Sequence, residues 1–437
     1  MDTKKLRQKI LDLAIRGKLV PQDPNDEPAS VLLERIRAEK EQLIKEGKIK
    51  RSKKSVASDT SHYENMPYKI PSNWCWTTIG ELFYLQAGKF INASEITDCK
   101  DDLHSYPCYG GNGLRGYVTT YNRNGLFPII GRQGALCGNI NVAEGKLYAT
   151  EHAVVVETFA SVDVKVFVYF LMQLNLNQYA TATAQPGLAV KTINEVPIPL
   201  PPLNEQYRIS HAIEKAFNKM SIIDESKYSL FMGIQQFKAG VLDIAISGKL
   251  VPQDSSDEPA IELLKRINPD FVSCDNRHYE NLPATWEEIE LGNICQLFDG
   301  ERIINKEYVN LDVKYLRGSK DGIKLTTGKY VPKDALMILV DGENSGEVFT
   351  TPHEGYQGST FKQLKISSEL NRDYVLLLIQ HSRKLLKDNK VGSAIPHLNK
   401  KIFKQIHVPI PPYNEQGRIV KAVQNAINKL DNILAEL

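Results

Sequence analysis

Cysteine and histidine are the residues best suited to binding a metal ion or attacking a substrate, and their spacing here supports neither role. The six cysteines never form a Cys-x-x-Cys pair, and no histidine-rich segment lies at zinc-ligand spacing beside them. We therefore expect reduced thiols, no metal site and no catalytic residue among them. The cysteines are Cys75, Cys99, Cys108, Cys137, Cys274 and Cys295.

Two further motifs contain residues found in active-site loops, and each fits a structural role better. Pro411-Pro412-Tyr413 is similar to the Asn/Asp-Pro-Pro-Tyr loop of amino-methyltransferases. Ile410, however, occupies the position that must accept the target amine, so we interpret the prolines as the rigid start of a helix. The glycine-rich segment 109–113 lacks the strand, helix and lysine of a phosphate-binding loop and predicts a turn.

Basic and polar side chains in glycine-bounded turns are the remaining candidates for ligand binding. Arg132 and Gln133 follow the apolar strand 127–130 and lie between Gly131 and Gly134. In the major groove of DNA, arginine pairs with guanine and glutamine with adenine, so this turn is either a base-reading loop or an ordinary surface turn. Similar candidates, each of which could instead be a solvated charge or a phosphate contact, are Lys89, Arg115, Lys191, Arg302, Arg317, Lys320, Lys324 and Asn344.

The composition is that of a folded protein with more than one domain. Of the 437 residues, 42% are hydrophobic and 24% are charged, which supports two or three separate cores. The net charge of +2 is small for a protein that binds DNA alone, so the positive charge is local or partner subunits supply part of the phosphate contact. The first residues carry charges throughout and no stretch reaches the length of a membrane span, so we expect a cytoplasmic protein.

Four segments of the chain occur twice, which predicts a duplicated unit. The longest repeat contains the run Gly-Lys-Leu-Val-Pro-Gln-Asp in both copies, and another reads Pro-x-Pro-Pro-x-Asn-Glu-Gln. The pairs are 14–36 with 245–267, 62–65 with 278–281, 71–74 with 283–286, and 199–206 with 409–416. The first copy also carries an insertion, which we interpret as a solvated linker in preference to a phosphate contact. The insertion contains the basic residues Lys48, Lys50, Arg51, Lys53 and Lys54.

The order of the repeated segments is cyclic. The middle of the chain, 204–267, joins a segment that matches the C-terminal residues 414–437 directly to one that matches the N-terminal residues 3–36. The two ends of the chain therefore make up one copy of its middle. This order predicts a pseudo-two-fold arrangement with neighbouring termini and two variable domains at opposite positions.

A heptad pattern predicts the element that separates these domains. From Asn204, apolar residues recur alternately every four and three residues, which is typical of a coiled-coil seam. Asn204 as N-cap and Gly248 after the last turn predict a helix of about 40 residues, or about 60 Å. The seam residues are Ile209, Ile213, Met220, Ile223, Leu230, Ile234, Phe237, Val241 and Ile244.

Shorter seams near both chain ends predict helices that pack antiparallel against the long one. They contain Leu6, Ile10 and Leu13 at one end and the span 419–437 at the other. A plain helical hairpin gives the same pattern, but the length of the helix and the assembly of its mate from both chain ends favour a spacer between two domains.

The motifs together resemble those of Type I restriction-modification specificity subunits. The resemblance rests on the Pro-x-x-Trp motif, the glycine-rich centre 109–113, the Gly131-Arg132-x-Gly134 turn, and Pro-x-Pro-Pro-x-x-Glu-Gln-x-x-Ile followed by a heptad helix, which occurs twice. The second domain has a weaker form of the central turns, at 342–346.

The resemblance implies the fold class and the domain order. We expect two α/β (α+β) target-recognition domains, separated by long antiparallel coiled-coil helices. Their shared ends and different interiors suggest one scaffold that serves two ligands. The expected segments are an N-terminal helical segment (1–36), a charged linker (37–65), target-recognition domain 1 (66–200), a central coiled-coil region (201–267), a linker (268–282), target-recognition domain 2 (283–410) and a C-terminal helix (411–437) that pairs with the N-terminal segment.

The resemblance also implies partners and a role in host defence. Such a subunit binds double-stranded DNA, each domain reading half of an interrupted, asymmetric site. It joins two methyltransferase subunits and, in the full enzyme, two restriction subunits. S-adenosylmethionine, ATP and Mg²⁺ act in those partners, so we expect this chain to bind none of them directly.

Two other functions remain open. The chain could be the specificity half of a combined restriction-methylation enzyme whose catalytic part lies elsewhere, although no methyltransferase motif supports this. It could also be a coiled-coil scaffold that binds only proteins. The small net charge favours that second alternative, and two divergent domains on a duplicated frame disfavour it.

Overall fold

The computed structural model of the protein describes residues 1–50, 66–134, 136–159, 162–181, 186–273, 278–389 and 397–436. The chain forms two compact units, Met1–Ser226 and Lys227–Leu437. Some features of the sequence analysis lie outside the described residues, namely Cys274, Leu437, the tetrapeptide 62–65 and the basic residues Arg51, Lys53 and Lys54.

The first unit combines a six-stranded sheet with helices. Its helices are α1 (Thr3–Ile15), α2 (Ala29–Lys45), α3 (Ile79–Leu82), α4 (Val164–Gln173), α5 (Val190–Glu195) and the first half of α6 (Leu203–Ile246), with short 3-10 helices at Ala93–Glu95 and Leu176–Tyr179. Its strands are β1 (Cys75–Thr78), β2 (Phe83–Ala87), β3 (Tyr106–Gly110), β4 (Gly113–Val118), β5 (Arg123–Gly131), β6 (Ile140–Ala149), β7 (Ala153–Thr158) and β8 (Pro197–Leu200). The sheet has the order β2-β7-β5-β6-β3-β4, and β1 pairs with β8. The pair β3–β6 is parallel and the other pairs are antiparallel.

Strand β7 shows why this sheet is buried on both faces. Val154 and Val156 pack in the main core with Phe167 of α4, whereas Val155 points to the other face and packs with Ile129. Because neighbouring residues of a strand point in opposite directions, a run of valines supplies both faces. Strand β5 contains the predicted strand 127–130, so that prediction is confirmed.

The second unit repeats this plan with fewer sheet strands. Its helices are the second half of α6, α7 (Ala260–Ile267), α8 (Leu291–Ile294), α9 (Val313–Leu316), α10 (Arg372–His381), α11 (Arg383–Asp388), α12 (Lys400–Gln405) and α13 (Tyr413–Ala435). Its strands are β9 (Glu287–Glu290), β10 (Cys295–Phe298), β11 (Arg302–Leu311), β12 (Lys324–Val331), β13 (Leu336–Leu339), β14 (Val348–Thr350), β15 (Gly355–Gln357), β16 (Phe361–Ile366) and β17 (His407–Ile410). One sheet has the order β10-β16-β13-β14, and β9 pairs with β17. Strand β11 pairs antiparallel with β12 and parallel with β15.

The long helix and its C-terminal end were predicted correctly, but the predicted N-cap Asn204 lies inside the helix, which begins at Leu203. Helix α6 contains 44 residues and begins directly after Pro201-Pro202. It ends where Gly248 adopts a φ of +72°, and the Lys249 N–H donates to Ile244 O at 3.1 Å. Only glycine enters this left-handed conformation without strain, so Gly248 terminates the helix. Helix α1 ends in the same way at Gly17, with a φ of +67°.

Each half of α6 packs against a shorter helix in its own unit. In the first unit, Thr3 and Arg7 of α1 bond to Asp224, at 2.7 and 2.8 Å. In the second unit, Lys238 forms an ion pair with Asp431 of α13. The short helices therefore lie against the long one, as predicted.

The predicted seam of α6 is only partly buried. Ile209, Ile213, Met220 and Ile234 are buried, and Ile223 and Val241 are half-buried. Three seam residues are instead exposed, and near the end of the helix other apolar residues take the buried positions. A straight helix has 3.6 residues per turn, so a seam with a 3.5-residue period drifts around it. The exposed residues are Leu230, Phe237 and Ile244, and the buried replacements are Leu242, Ala245 and Ile246.

The predicted linker 37–65 also needs a correction. Residues 37–45 form the second half of α2. Arg37 bonds to Glu81 at 3.0 Å, and Lys40 donates to the Gly80 carbonyl oxygen. The predicted linker began at residue 37 because the repeat 14–36 ends there. The helix continues past this point, and the contacts of Arg37 and Lys40 hold its second half against the domain. Within the described ranges, no helix is both long enough and apolar enough to cross a membrane.

Candidate nucleic-acid interface

A buried glutamate joins three of the repeated segments in the first unit. Glu205 lies in the first turn of α6 and is fully buried. Trp74 Nε1–H donates to its Oε2 at 2.9 Å, and Gln22 Nε2–H donates to its Oε1 at 2.6 Å. Burial raises the pKa of Glu205, and these two hydrogen bonds oppose the rise. We call Glu205, Trp74 and Gln22 the first clasp.

The second unit contains an equivalent set of contacts. Glu415 accepts hydrogen bonds from Trp286 Nε1 at 3.1 Å and from Gln253 Nε2 at 2.6 Å. Burial again raises the pKa of the carboxyl group. We call Glu415, Trp286 and Gln253 the second clasp. The repeated motifs therefore recur because they hold together the frame of each unit.

A matched ion pair lies beside each clasp. Arg208 binds Asp26 at 2.5 Å in the first unit, and Arg418 binds Asp257 at 2.6 Å in the second. Both aspartates are buried. Gln416 Nε2–H donates to Pro411 O at 3.0 Å, so the Pro-Pro-Tyr segment is the start of a helix, as interpreted from the sequence.

Two candidate side chains of the first unit line a cleft of about 390 Å³, which we call the β3–β5 cleft. Arg115 and Gln133 line it together with His152, the glycine-rich residues 110–113, Leu114 and Gly134. At Gly131, an added Cβ would lie 1.9 Å from the Gly111 carbonyl oxygen. Glycine is thus required at position 131, where the backbone of β5 passes close to that of the glycine-rich segment 109–113. This close approach gives the glycines a structural role that needs no phosphate loop.

Unpaired polar atoms are concentrated around this cleft. Of the nine buried side-chain polar atoms with no hydrogen-bond partner among the described residues, five belong to this region. Leaving a buried donor or acceptor unpaired costs about 1–3 kcal/mol, so such atoms are usually paired by water, an ion or a ligand. The five atoms are Arg132 Nε, Asn141 Nδ2, Thr150 Oγ1, Glu151 Oε2 and His152 Nδ1.

Four of the five candidates in this unit lie in this region. Arg132 is half-buried, and its backbone N–H donates to His152 O at 3.0 Å. Lys89 is exposed and forms a parallel bridge with Thr150. Lys191, in contrast, lies exposed on α5 and does not line the cleft. Sequence reasoning missed His152 and Leu114, because neither belongs to a recognisable motif.

The second unit has the same backbone turn with other side chains. Leu188 N–H donates to Arg132 O at 2.9 Å, and Leu398 N–H donates to Val340 O at 2.7 Å. Gly138 and Gly346 close the two turns with matching backbone bonds of 2.7 Å. Val340 and Asp341 therefore stand where the first unit has Arg132 and Gln133.

Strand pairing supports the same correspondence. Cys108 and Tyr109 of β3 pair parallel with Tyr148 and Ala149 of β6. In the second unit, Asn310 and Leu311 of β11 pair parallel with Tyr356 and Gln357 of β15. The interiors therefore share a backbone plan that their sequences do not reveal.

The turn of the second unit also carries polar groups. Asn344 is exposed in it, at the position of Leu136 in the first unit. Ser345 Oγ is buried without a partner, and Asp341 Oδ1 lies 2.7 Å from His397 Nδ1. Sequence reasoning missed Asp341 and His397, because the two residues lie far apart in the chain.

The remaining candidates of the second unit have varied surroundings. Arg317 forms an ion pair with Glu347 and lies over the Phe349 ring, so it is held within the domain. Lys324 pairs with Glu307 across the β11–β12 hairpin at 2.6 Å. Such exposed pairs contribute little and separate easily. Lys320 and Arg302 are exposed.

The cysteines show no sign of reactivity. All five described cysteines are free thiols. Burial raises the pKa of Cys108 to about 11 and that of Cys295 to about 12. These thiols are therefore protonated at neutral pH and poor nucleophiles.

The fold and the two turns define a protein with one frame used twice, each copy presenting different polar side chains. A family model for the type I restriction modification DNA specificity domain matches residues 71–230 and 283–437. These matches cover more than half of the chain, so the protein belongs to this family.

Named relatives agree with this assignment. The chain is 44% identical over 138 residues to the type I restriction enzyme EcoprrI specificity subunit of Escherichia coli, a match that covers 32% of this chain and 34% of the relative. It is 26% identical to the Escherichia coli EcoAI specificity subunit over 99% of this chain and 90% of that one. The chain thus spans about a third of the first relative and nearly all of the second.

A solved structure supports the fold. A chain from a study of complex assembly and conformational transition of the type I R-M system superimposes with a TM-score of 0.52. The identity is 16%, and the match covers 85% of this chain and 95% of the other. Such a likeness shows the fold, a two-domain α+β protein with a long helix.

Proposed function

We propose that this protein is a DNA-sequence-specificity subunit that binds a bipartite, asymmetric site in double-stranded DNA. The observation that carries the proposal is the pair of matched turns. The frame of clasps and backbone bonds is the same in both units, whereas the side chains at the turns differ. Arg132 and Gln133 in one turn correspond to Val340 and Asp341 in the other. A common scaffold with different contacts suits two different half-sites.

The polar side chains that line the β3–β5 cleft support base reading in the first unit. Base edges in the major groove offer donors and acceptors that arginine and glutamine side chains can pair with. Arg115 and Gln133 line the same cleft. Phosphate contacts position a protein on DNA, and base contacts give specificity. We assign base contacts to the cleft, and phosphate contacts to exposed cations such as Lys89 and Lys320.

The β11–β12 hairpin supports DNA contact in the second unit. It presents the exposed cations Arg302 and Lys324, together with Ile304 and Leu325, which are 63% and 38% exposed. The major groove admits a two-stranded ribbon, and apolar side chains there contact thymine methyl groups.

Partner subunits complete the proposed activity. With a net charge of only +2, the chain alone has little excess positive charge for phosphate contact. We propose that two methyltransferase subunits and the restriction subunits supply part of it, together with all catalysis. S-adenosylmethionine, ATP and Mg²⁺ then act in those partners, within the cytoplasm, and this chain is not itself an enzyme.

Domain exchange tests the proposal. Replacing residues 66–200 with the corresponding domain of a relative, in cells that carry the partner subunits, should change one half of the methylated motif. The matched control replaces 283–410 and should change only the other half. Motif mapping of the modified genome measures both. If either exchange altered both halves, the units would not be separate readers.

A further inference from the structure

We propose that the second unit contains a structural site for a divalent transition-metal ion such as Zn²⁺, formed by His278, Glu288 and His407. One ligand atom from each residue lies within 4.8 Å of those of the other two. Glu288 is on β9 and His407 on β17, while His278 precedes β9. Imidazole nitrogen and carboxylate oxygen are both ordinary ligands of zinc.

The spacing of these groups suits one ion. His278 Nδ1 lies 3.5 Å from Glu288 Oε2, close to the separation of about 3.4 Å expected for two ligands of a tetrahedral zinc. The His278 and His407 rings stack with their centroids 3.7 Å apart and their planes at 20°. The His278 side chain is 54% exposed, so it can rotate to direct its nitrogen at the ion.

The buried Glu288 and the half-buried His407 are already positioned. Glu288 is buried, and its two oxygens accept backbone N–H bonds from His278 and Tyr279, at 2.9 and 3.0 Å. Those bonds fix the carboxylate and leave lone pairs available. His407 Nδ1 is buried with no hydrogen-bond partner among the described residues. At the other ring nitrogen, Nε2 lies 3.9 Å from Glu290 Oε1, which is longer than a hydrogen bond.

The first unit shows that the frame does not need these residues. Its β1–β8 pair has the same register as β9–β17, with Thr78 opposite Pro197 where the second unit has Glu290 opposite His407. The same register places Trp76 at the position of Glu288. Trp76 packs against Tyr68, with ring centroids 5.1 Å apart. Trp76 and Pro197 therefore stand where the second unit has Glu288 and His407, whereas the counterpart of His278, His62, lies outside the described residues.

The position of the site suggests its role. Its ligands come from the segment that leads into the second domain, from the first strand of that domain and from its last strand. A bound ion would join the start of the domain to its end and stabilise the folded unit. Three protein ligands leave one coordination position for water at this partly exposed site. The sequence predicted no metal site, because the ligands are spread along the chain without a recognisable spacing.

Metal titration of the untagged full chain tests the proposal. Isothermal titration with ZnCl₂, and the visible absorption of the Co²⁺-loaded protein, should show one site per chain. His407→Ala and His278→Ala should each weaken it by more than about 100-fold, since losing even an outer-shell partner costs about 10–100-fold. The matched control is His211→Ala, which changes an exposed histidine on α6 and should leave the affinity unchanged.

A stability measurement covers the case in which a variant folds poorly. Zn²⁺ should raise the unfolding temperature of the unchanged chain, and it should have no such effect on His278→Ala, which removes a side chain that is 54% exposed. The proposal would be overturned by an unchanged chain that binds no Zn²⁺ or Co²⁺, or by histidine variants that bind Zn²⁺ as tightly as the unchanged chain does. DNA recognition by the two turns would be unaffected by either result.

Discussion

Replacing Trp74 with phenylalanine would test whether the first clasp holds the frame together. The substitution keeps an aromatic ring against Phe170, which Trp74 stacks on at a centroid distance of 6.1 Å. It removes the Nε1–H that donates to Glu205 at 2.9 Å. A fully buried carboxylate then loses one of its two side-chain donors.

The size of the effect follows from these contacts. A hydrogen bond to an ionised group contributes about 1.5–3 kcal/mol. The smaller ring also leaves a cavity in a buried position, which costs about 1 kcal/mol more. We therefore expect Trp74→Phe to lower the free energy of unfolding by about 2–4 kcal/mol near neutral pH.

The effect should depend on pH, because only the ionised carboxyl group is stabilised by the Trp74 bond. Burial raises the pKa of Glu205 in the folded protein. Such a group contributes stability below its unfolded pKa and loses that contribution as the pH rises through the folded pKa. Removing the Trp74 donor raises the folded pKa further. The destabilisation should therefore be larger at pH 8 than at pH 5, where more of the carboxyl group is protonated.

Urea unfolding followed by circular dichroism, at both pH values, measures this difference. The matched control is Trp76→Phe, two residues along the chain, because Trp76 is half-buried and lies outside the clasp. It should cost less and show no pH dependence. A Trp74→Phe effect of equal size at both pH values would refute the reasoning, since packing alone would then explain it.

Two further predictions concern DNA recognition and need the partner subunits. Arg132→Ala should relax the preference at one base pair, at a cost of about 1–3 kcal/mol if Arg132 makes a bidentate base contact. The control Lys191→Ala should leave the methylated motif unchanged. A uniform loss of binding across all sequences would make Arg132 a phosphate contact. Inserting seven residues near Lys227 should lengthen the unspecified gap in the methylated motif by about three base pairs. Seven helical residues advance about 10.5 Å along the helix axis, and one base pair advances about 3.4 Å along the duplex. A folded, active variant that keeps the original gap would show that α6 does not set the spacing.

The frame could be predicted from the sequence because its signals are local and repeated. The C-terminal end of α6 followed from Gly248, because a helix commonly ends at a glycine in the left-handed conformation, whereas the predicted N-cap Asn204 is a helical residue. The seam failed at Leu230, Phe237 and Ile244, because a 3.5-residue period drifts around a straight helix of 3.6 residues per turn.

The candidate site was only partly predictable. Arg132 and Gln133 were found because glycines bracket them, and the first of these glycines, Gly131, marks a close approach of two backbone segments. His152 and Asp341 were missed, since their positions depend on strand pairing between segments far apart in the chain. The common backbone arrangement of the two domain interiors could not be predicted for the same reason. Backbone hydrogen bonds maintain this arrangement, and they place few demands on side-chain identity.

The clasps have a genetic consequence. Each clasp uses residues from the borders of a recognition domain and none from its interior, as Glu205, Trp74 and Gln22 illustrate. The repeats 14–36 and 245–267 are also similar in amino-acid sequence, so their coding stretches are candidate places for an exchange of strands. A crossover between these stretches would deliver a whole reading module with its clasp residues already matched. New target sequences could thus arise by reassortment in a single event, without a series of point mutations that must each preserve folding.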